Sequence, residues 1–245
     1  MSKKIIVESK NGADNIDKSR RKTNISNLEE DKKVWKKIVD DNDKTNQIIP
    51  TLLSRLEKNY EYYGFKKPGD IEFKDIQQLA KKYIEADPWL QITYCRDSTR
   101  QSIDESVQAA TLKKFVNDSF RTIPNGKEVL YEGTIVSKKE ATKLTGKTIK
   151  ARSIDCVGIV GEHNAKGFLK YSKVSGSGQL QQRIETQNWL EECLKITDTN
   201  ILFFAQLDGE EAESHIDELR KIVENHNNIF VGNTEQVIDW LTSFK

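Results

Sequence analysis

The 245-residue sequence is sparing with residues that staple, stiffen or coordinate: it has three cysteines, four prolines, one methionine and three histidines. Cys95, Cys156 and Cys193 are odd in number, far apart and without metal-ligand spacing, which argues against a disulfide scaffold and for a reducing, cytoplasmic setting. His163, His215 and His226 are too scattered for a zinc site and are expected at the surface. Long apolar runs are lacking too. Ile201-Leu202-Phe203-Phe204 is far too short to span a bilayer, and Lys3 and Lys4 are followed by no apolar stretch with a small-residue cleavage site, so neither a membrane role nor export is suggested. Nor is there an excess of one charge. With 39 basic residues against 38 acidic ones, no global positive field marks a purely electrostatic nucleic-acid binder, and any such contact must come from a local cleft.

What is present changes along the chain. Residues 8–33 are dense in Lys, Arg, Asp, Glu, Asn and Ser, with few large apolar groups to offset the entropy of ordering them, so a mobile basic and acidic arm is expected over about residues 1–30. Between Asn27 and Tyr63, Val34, Trp35, Ile38, Ile48, Ile49, Leu52, Leu53 and Leu56 recur near helical spacing, and the break around Asp41 to Lys44 divides them into two amphipathic helices. A further helix is predicted from Ile71 to Ala86, stopped at Asp87-Pro88, and another from a cap at Ser98 or Thr99 to about Phe120. These divisions give a helical N-terminal region over 1–97 and a core over 98–245.

After Pro124-Asn125-Gly126 the texture becomes β. Val129 to Val136 reads as one strand, Ser153 to Val160 as a second and Phe168 to Lys173 as a third, the last two joined by a turn over Gly161 to Gly167. Then a helix from about Gln179 to Leu194, a buried-type strand Ile201 to Leu207, a helix Glu210 to Glu224, a short strand Ile229 to Val231 and a helix Asn233 to Leu241 follow in turn. The expected class is α/β, a mixed sheet flanked by helices, with an N-terminal helical extension.

Asp155 stands among apolar neighbours in Ser153-Ile154-Asp155-Cys156-Val157, where a carboxylate is costly unless paired or bound to a cation. A hairpin centred near Asn164 places it opposite Lys173. The plain reading is a cross-strand ion pair. The sharper one is chemical, because phosphodiester hydrolysis needs a divalent cation held by carboxylates and a lysine that orients the water or stabilises developing charge. In front of the next helix, Gly176-Ser177-Gly178 offers free amides of the kind that attract phosphate, and Gln179 adds a neutral donor.

An aspartate in one arm of a hairpin, an apolar strand ending in Lys173-Val174-Ser175-Gly176-Ser177-Gly178, and a helix beginning in glutamines together resemble the P-D…(D/E)-x-K nuclease superfamily, and within it the type II restriction endonucleases. The resemblance covers about Ser98 to the C-terminus. It implies a restriction-endonuclease-like core, magnesium as cofactor, double-stranded DNA as substrate and a homodimer that cuts both strands; a nuclease of repair or defence and a catalytically decayed DNA-binding protein are the alternatives. It implies Asp155 as metal ligand, Lys173 or Lys170 as the catalytic lysine, and Lys170, Ser175, Ser177 and Gln179 as phosphate contacts. The pattern departs at Ile154, which replaces proline, and at the second acid, where Tyr171 precedes Lys173 and Phe168 precedes Lys170. Two substitutes are open: Glu185 on the following helix, catalytic or metal-binding, and Glu105 on the helix before the strands.

Overall fold

The structure is a computed structural model that describes residues 5–58, 61, 64–85, 100–145, 152–172 and 177–245. It divides into two compact units, one of residues 1–20 with 99–245 and one of residues 21–98. Helix α1 (Gly12–Asp40) begins in the first and continues into the second. The second unit is helical. Besides α1 it holds α2 (Ile49–Lys58), a single 3-10 turn (Pro68–Asp70) and α3 (Phe73–Glu85). Its core joins Trp35 and Ile38 of α1 to Leu52 and Leu56 of α2 and to Ile76, Leu79 and Ala80 of α3. The expected stop at Asp87-Pro88 and the caps Ser98 and Thr99 lie outside the described residues.

From Gly12 onward, the stretch expected to be a mobile arm is helix α1. Its first turns are anchored by polar side chains that composition counts as soluble. Asn15, Ile16 and Ser19 are fully buried. Asn15 Oδ1 accepts the Glu8 amide and its Nδ2 donates to Ser9 O, while Ser19 Oγ accepts the Ile6 amide. The Arg20 guanidinium holds Asp104 through two bonds of 2.7 and 2.5 Å. Specific bonds of this kind, together with the burial of Ile16 against Ile103, Val107 and Tyr171, offset the ordering cost. The residues up to Arg20 group with the sheet, while the division after Ser98 lies next to the expected boundary at 97/98.

The strands are β1 (Arg121–Thr122), β2 (Val129–Tyr131), β3 (Thr134–Val136), β4 (Arg152–Ser153), β5 (Cys156–Val160), β6 (His163–Tyr171), β7 (Ile201–Asp208) and β8 (Ile229–Gly232). The helices of this unit are α4 (Arg100–Phe115), α5 (Lys138–Thr145), α6 (Ser177–Cys193), α7 (Glu210–Glu213), α8 (Ile216–Val223) and α9 (Thr234–Thr242). The main sheet has the order β1-β5-β6-β7-β8, antiparallel as far as β6 and parallel from β6 to β8. A small sheet, β3-β2-β4, stands beside it. The segment read as one strand from Val129 to Val136 is thus a hairpin, turned at Glu132 and Gly133, both with positive φ.

Helices cover both faces of the main sheet, an α/β architecture with a mixed five-stranded sheet. On one face Phe168, Phe203, Ala205 and Leu207 pack against Trp189 and Leu190 of α6 and against Ile216 and Leu219 of α8. On the other, Leu169, Leu202 and Phe204 meet Leu112 and Val116 and, from α9, Val237 and Leu241. Strand β7 is buried nearly throughout, as an inner parallel strand requires. Alternation along β6 therefore assigns Phe168 and Lys170 to the α6 face and Leu169 and Tyr171 to the α4 face.

The hairpin of β5 and β6 turns tighter than expected. Val160 pairs with His163 across the two residues Gly161 and Glu162, and Gly161 supplies the positive φ (55°) that a two-residue hairpin demands. His163-Asn164-Ala165-Lys166-Gly167, expected in the turn, is strand. Gly167 is there because Phe204 lies where a Cβ would stand.

Candidate active site

Asp155 occupies the step between β4 and β5. Its amide donates to Gly167 O at 2.8 Å, and its carboxylate Oδ2 accepts the Leu169 amide at 3.0 Å. The carboxylate thus takes the place a strand carbonyl would hold, beyond the last β5–β6 pair, Cys156 with Gly167. Extending that register sets Asp155 against Phe168, and the register that opposed it to Lys173 is corrected by the tighter turn. The lysine brought to Asp155 is Lys170, two residues beyond Phe168 on the same face of β6. Its Nζ lies 4.4 Å from the centroid of the Phe168 ring, a cation–π contact, and 4.0 Å from Glu185 Oε2 of α6. Glu185 is itself steadied by Gln181, one turn earlier on α6, whose Nε2 donates to Oε1 at 3.3 Å.

Both partners of the pair are buried, Asp155 to 8% exposure and Lys170 to 9%. Burial pushes the Asp155 carboxyl up from 3.8 to about 6, against the lowering effect of Lys170 and of the Leu169 amide, and the Glu185 charge adds to the rise. Among the described residues, two carboxylates, Asp155 and Glu185, act on the one ammonium of Lys170 here. Among the described residues no three His, Cys, Asp or Glu side chains form a metal cluster. Magnesium, however, commonly takes only one or two protein carboxylates and completes its shell with water and phosphate oxygens. Asp155 and Glu185 fit that requirement.

The other expected residues are placed as follows. Glu105 is half-buried on α4, whose Ala109 and Leu112 cover the opposite face of the sheet, and it is not among the groups that act on the Asp155 carboxyl. Ser177 and Gln179 fall in the first turn of α6. Lys173 and Ser175 lie outside the described residues. A small cavity beside Lys170, lined by Gln182, Thr186, Leu207, Glu211 and His215, opens at the C-terminal ends of β6 and β7.

Sequence reasoning missed a second buried carboxylate. Asp208, at the end of β7, accepts Gln108 Nε2 (2.7 Å), Gln206 Nε2 (3.1 Å) and Thr234 Oγ1 (2.7 Å) on Oδ2, and the Thr234 amide (3.0 Å) on Oδ1. Burial raises its carboxyl, and these four donors oppose the rise. The argument that singled out Asp155 applies equally to Asp208, which ends the apolar run of β7.

Comparison of the chain with protein-family models finds no match, and comparison with curated proteins finds none either. No helix among the described residues is long and apolar enough to cross a membrane.

Proposed function

We propose that the chain is a magnesium-dependent endodeoxyribonuclease of the restriction-endonuclease type, acting on double-stranded DNA at a specific sequence as a cytoplasmic homodimer. The observation that carries this reading is the convergence of Asp155, Lys170 and Glu185 from three elements on one end and one face of the sheet. The spacing Asp155…Phe168-Leu169-Lys170 resembles the P-D…(D/E)-x-K pattern with Phe168 at the position of the second acid. Glu185, reaching Lys170 from the following helix, supplies the carboxylate that this position lacks.

In this reading Asp155 and Glu185 hold the cation, which when bound polarises the phosphoryl oxygen and acidifies a coordinated water. Lys170 is held almost out of solvent by Phe168 and Glu185. There its ammonium can stabilise the negative charge that develops on the reacting phosphate. The Leu169 amide keeps Asp155 Oδ2 turned to the strand end, so that the acid and the lysine present a fixed pair to the substrate. Two such sites related by a dyad cut both strands of a palindrome, which is why a homodimer is proposed.

The test is cleavage of plasmid DNA with and without magnesium. The proposal expects metal-dependent cleavage into discrete bands, lost in Asp155→Ala and Lys170→Ala while both variants remain folded. Unresolved degradation would instead favour a repair or defence nuclease. Specific DNA binding without cleavage would favour a decayed enzyme, for which the apolar Phe168 at the acid's position already speaks. Cleavage by Asp155→Ala at the wild-type rate would overturn the assignment.

A further inference from the structure

Strand β6 loses its backbone partner on the β5 side just where it carries the lysine. The last pair is Cys156 with Gly167, and beyond it the Asp155 side chain takes over by accepting the Leu169 amide. A strand end held on one side only is prone to local opening. On its other side the strand stays paired with β7 at Lys170 and Tyr171, and the Lys170 carbonyl, which faces that side, takes one further contact. Gln108 of α4, fully buried, donates from Nε2 to the carbonyl of Lys170 (3.0 Å) and from the same nitrogen to Asp208 Oδ2 (2.7 Å). It approaches from the face opposite the one into which the Lys170 side chain points.

We infer that Gln108, anchored by Asp208, is a positioning residue that fixes the backbone of Lys170 and so aims its ammonium at Asp155 and Glu185. This rests on the reading of Lys170 given above. Among the described residues Gln108 Oε1 and Gln206 Oε1 take no hydrogen bond. Asp208 meanwhile keeps two donors from Thr234 and one from Gln206 without Gln108. Beside one of the four bonds to Asp208, Gln108 adds a side-chain bond to the Lys170 carbonyl.

The variant that tests this is Gln108→Met, which keeps the shape, removes the donor and removes one orphan acceptor. Three results are expected. The protein still folds, with a lowered melting temperature, since the buried Asp208 loses one of its four donors. Amide hydrogen exchange over 168–172 speeds about tenfold, the order of one hydrogen bond, while β7 is unchanged. Cleavage falls at least about tenfold in kcat with KM unmoved, and the substitution has no further effect in a Lys170→Ala background. Exchange that stays as in the wild type would overturn the inference, whatever the activity. So would a loss of rate that adds fully to that of Lys170→Ala. Faster exchange in a protein that cuts no DNA would leave the anchoring of Lys170 standing and would remove the nuclease reading instead.

Discussion

Asp155→Asn distinguishes a carboxylate kept for a cation from one kept for an ion pair, and the difference can be read in stability without any substrate. The Asp155 carboxyl titrates at about 6 in the folded chain against an ordinary 3.8, chiefly because it is buried. Over that interval the folded state binds the proton more readily than the unfolded one, so stability falls as pH rises from 3.8 to about 6 and stays low above it. At 1.36 kcal/mol per pH decade the full cost is about 3 kcal/mol at neutral pH. Asparagine can still accept the Leu169 amide and carries no charge to desolvate. The Asn variant is therefore expected to be more stable than the wild type at pH 8, by at most about 3 kcal/mol, and to converge on it toward pH 4.

Chemical denaturation at a series of pH values, in chelator, checks this. A domain of roughly this size shifts its melting point about 2–4 °C per kcal/mol, so thermal melts should separate the proteins by roughly 6–12 °C at most. Magnesium supplies the second half of the measurement. A cation at about ten times its dissociation constant should return about 1.4 kcal/mol to the wild type and nothing to the Asn variant. The reasoning is refuted if Asp155→Asn is the less stable protein at pH 8 in chelator. That outcome would mean the attraction of Lys170 outweighs the burial cost, and Asp155 would be a structural ion-pair partner.

For the lysine, Lys170→Ala should lower the cleavage rate at least about a hundredfold, and far more than Lys173→Ala, since the corrected register brings residue 170 to Asp155; the reverse order in a plasmid assay would return the assignment to Lys173. Glu185→Gln should cost about a hundredfold at limiting magnesium and recover in part as the metal is raised, whereas Glu105→Gln should stay close to wild type across the same titration. Gly167→Ala should destabilise by about 1–3 kcal/mol in denaturant melts, because the new methyl group would overlap the Phe204 ring in a packed core.

The order of elements from α6 onward could be read from the sequence because strand and helix leave different apolar periods, and Ile201 to Leu207 or Ile229 to Val231 admit little else; the helix α5 and the strand β1 were not legible in this way. Register is a different kind of quantity. It depends on which two residues form the turn, and Gly161-Glu162 and the longer Gly161 to Gly167 are both plausible loops from composition. Only Gly167, which Phe204 leaves no room to enlarge, hints that the second half of that stretch is buried strand. A shift of the turn by a few residues changes the lysine opposite Asp155, so an error in the turn became an error in the chemistry. Helix α1 failed for a related reason: Asn15, Ser19 and Arg20 count as solvated in any composition argument, yet each is spent on a specific partner.

The same holds for Gln108, whose side chain looks like ordinary helix polarity until Asp208 and the Lys170 carbonyl are found on either side of it. Buried carboxylates are the exception, for their desolvation cost is visible in one dimension. Asp155 was found in that way. Asp208 was open to the same argument, and following it would have led, through the donors an interior anion needs, to the glutamine on α4.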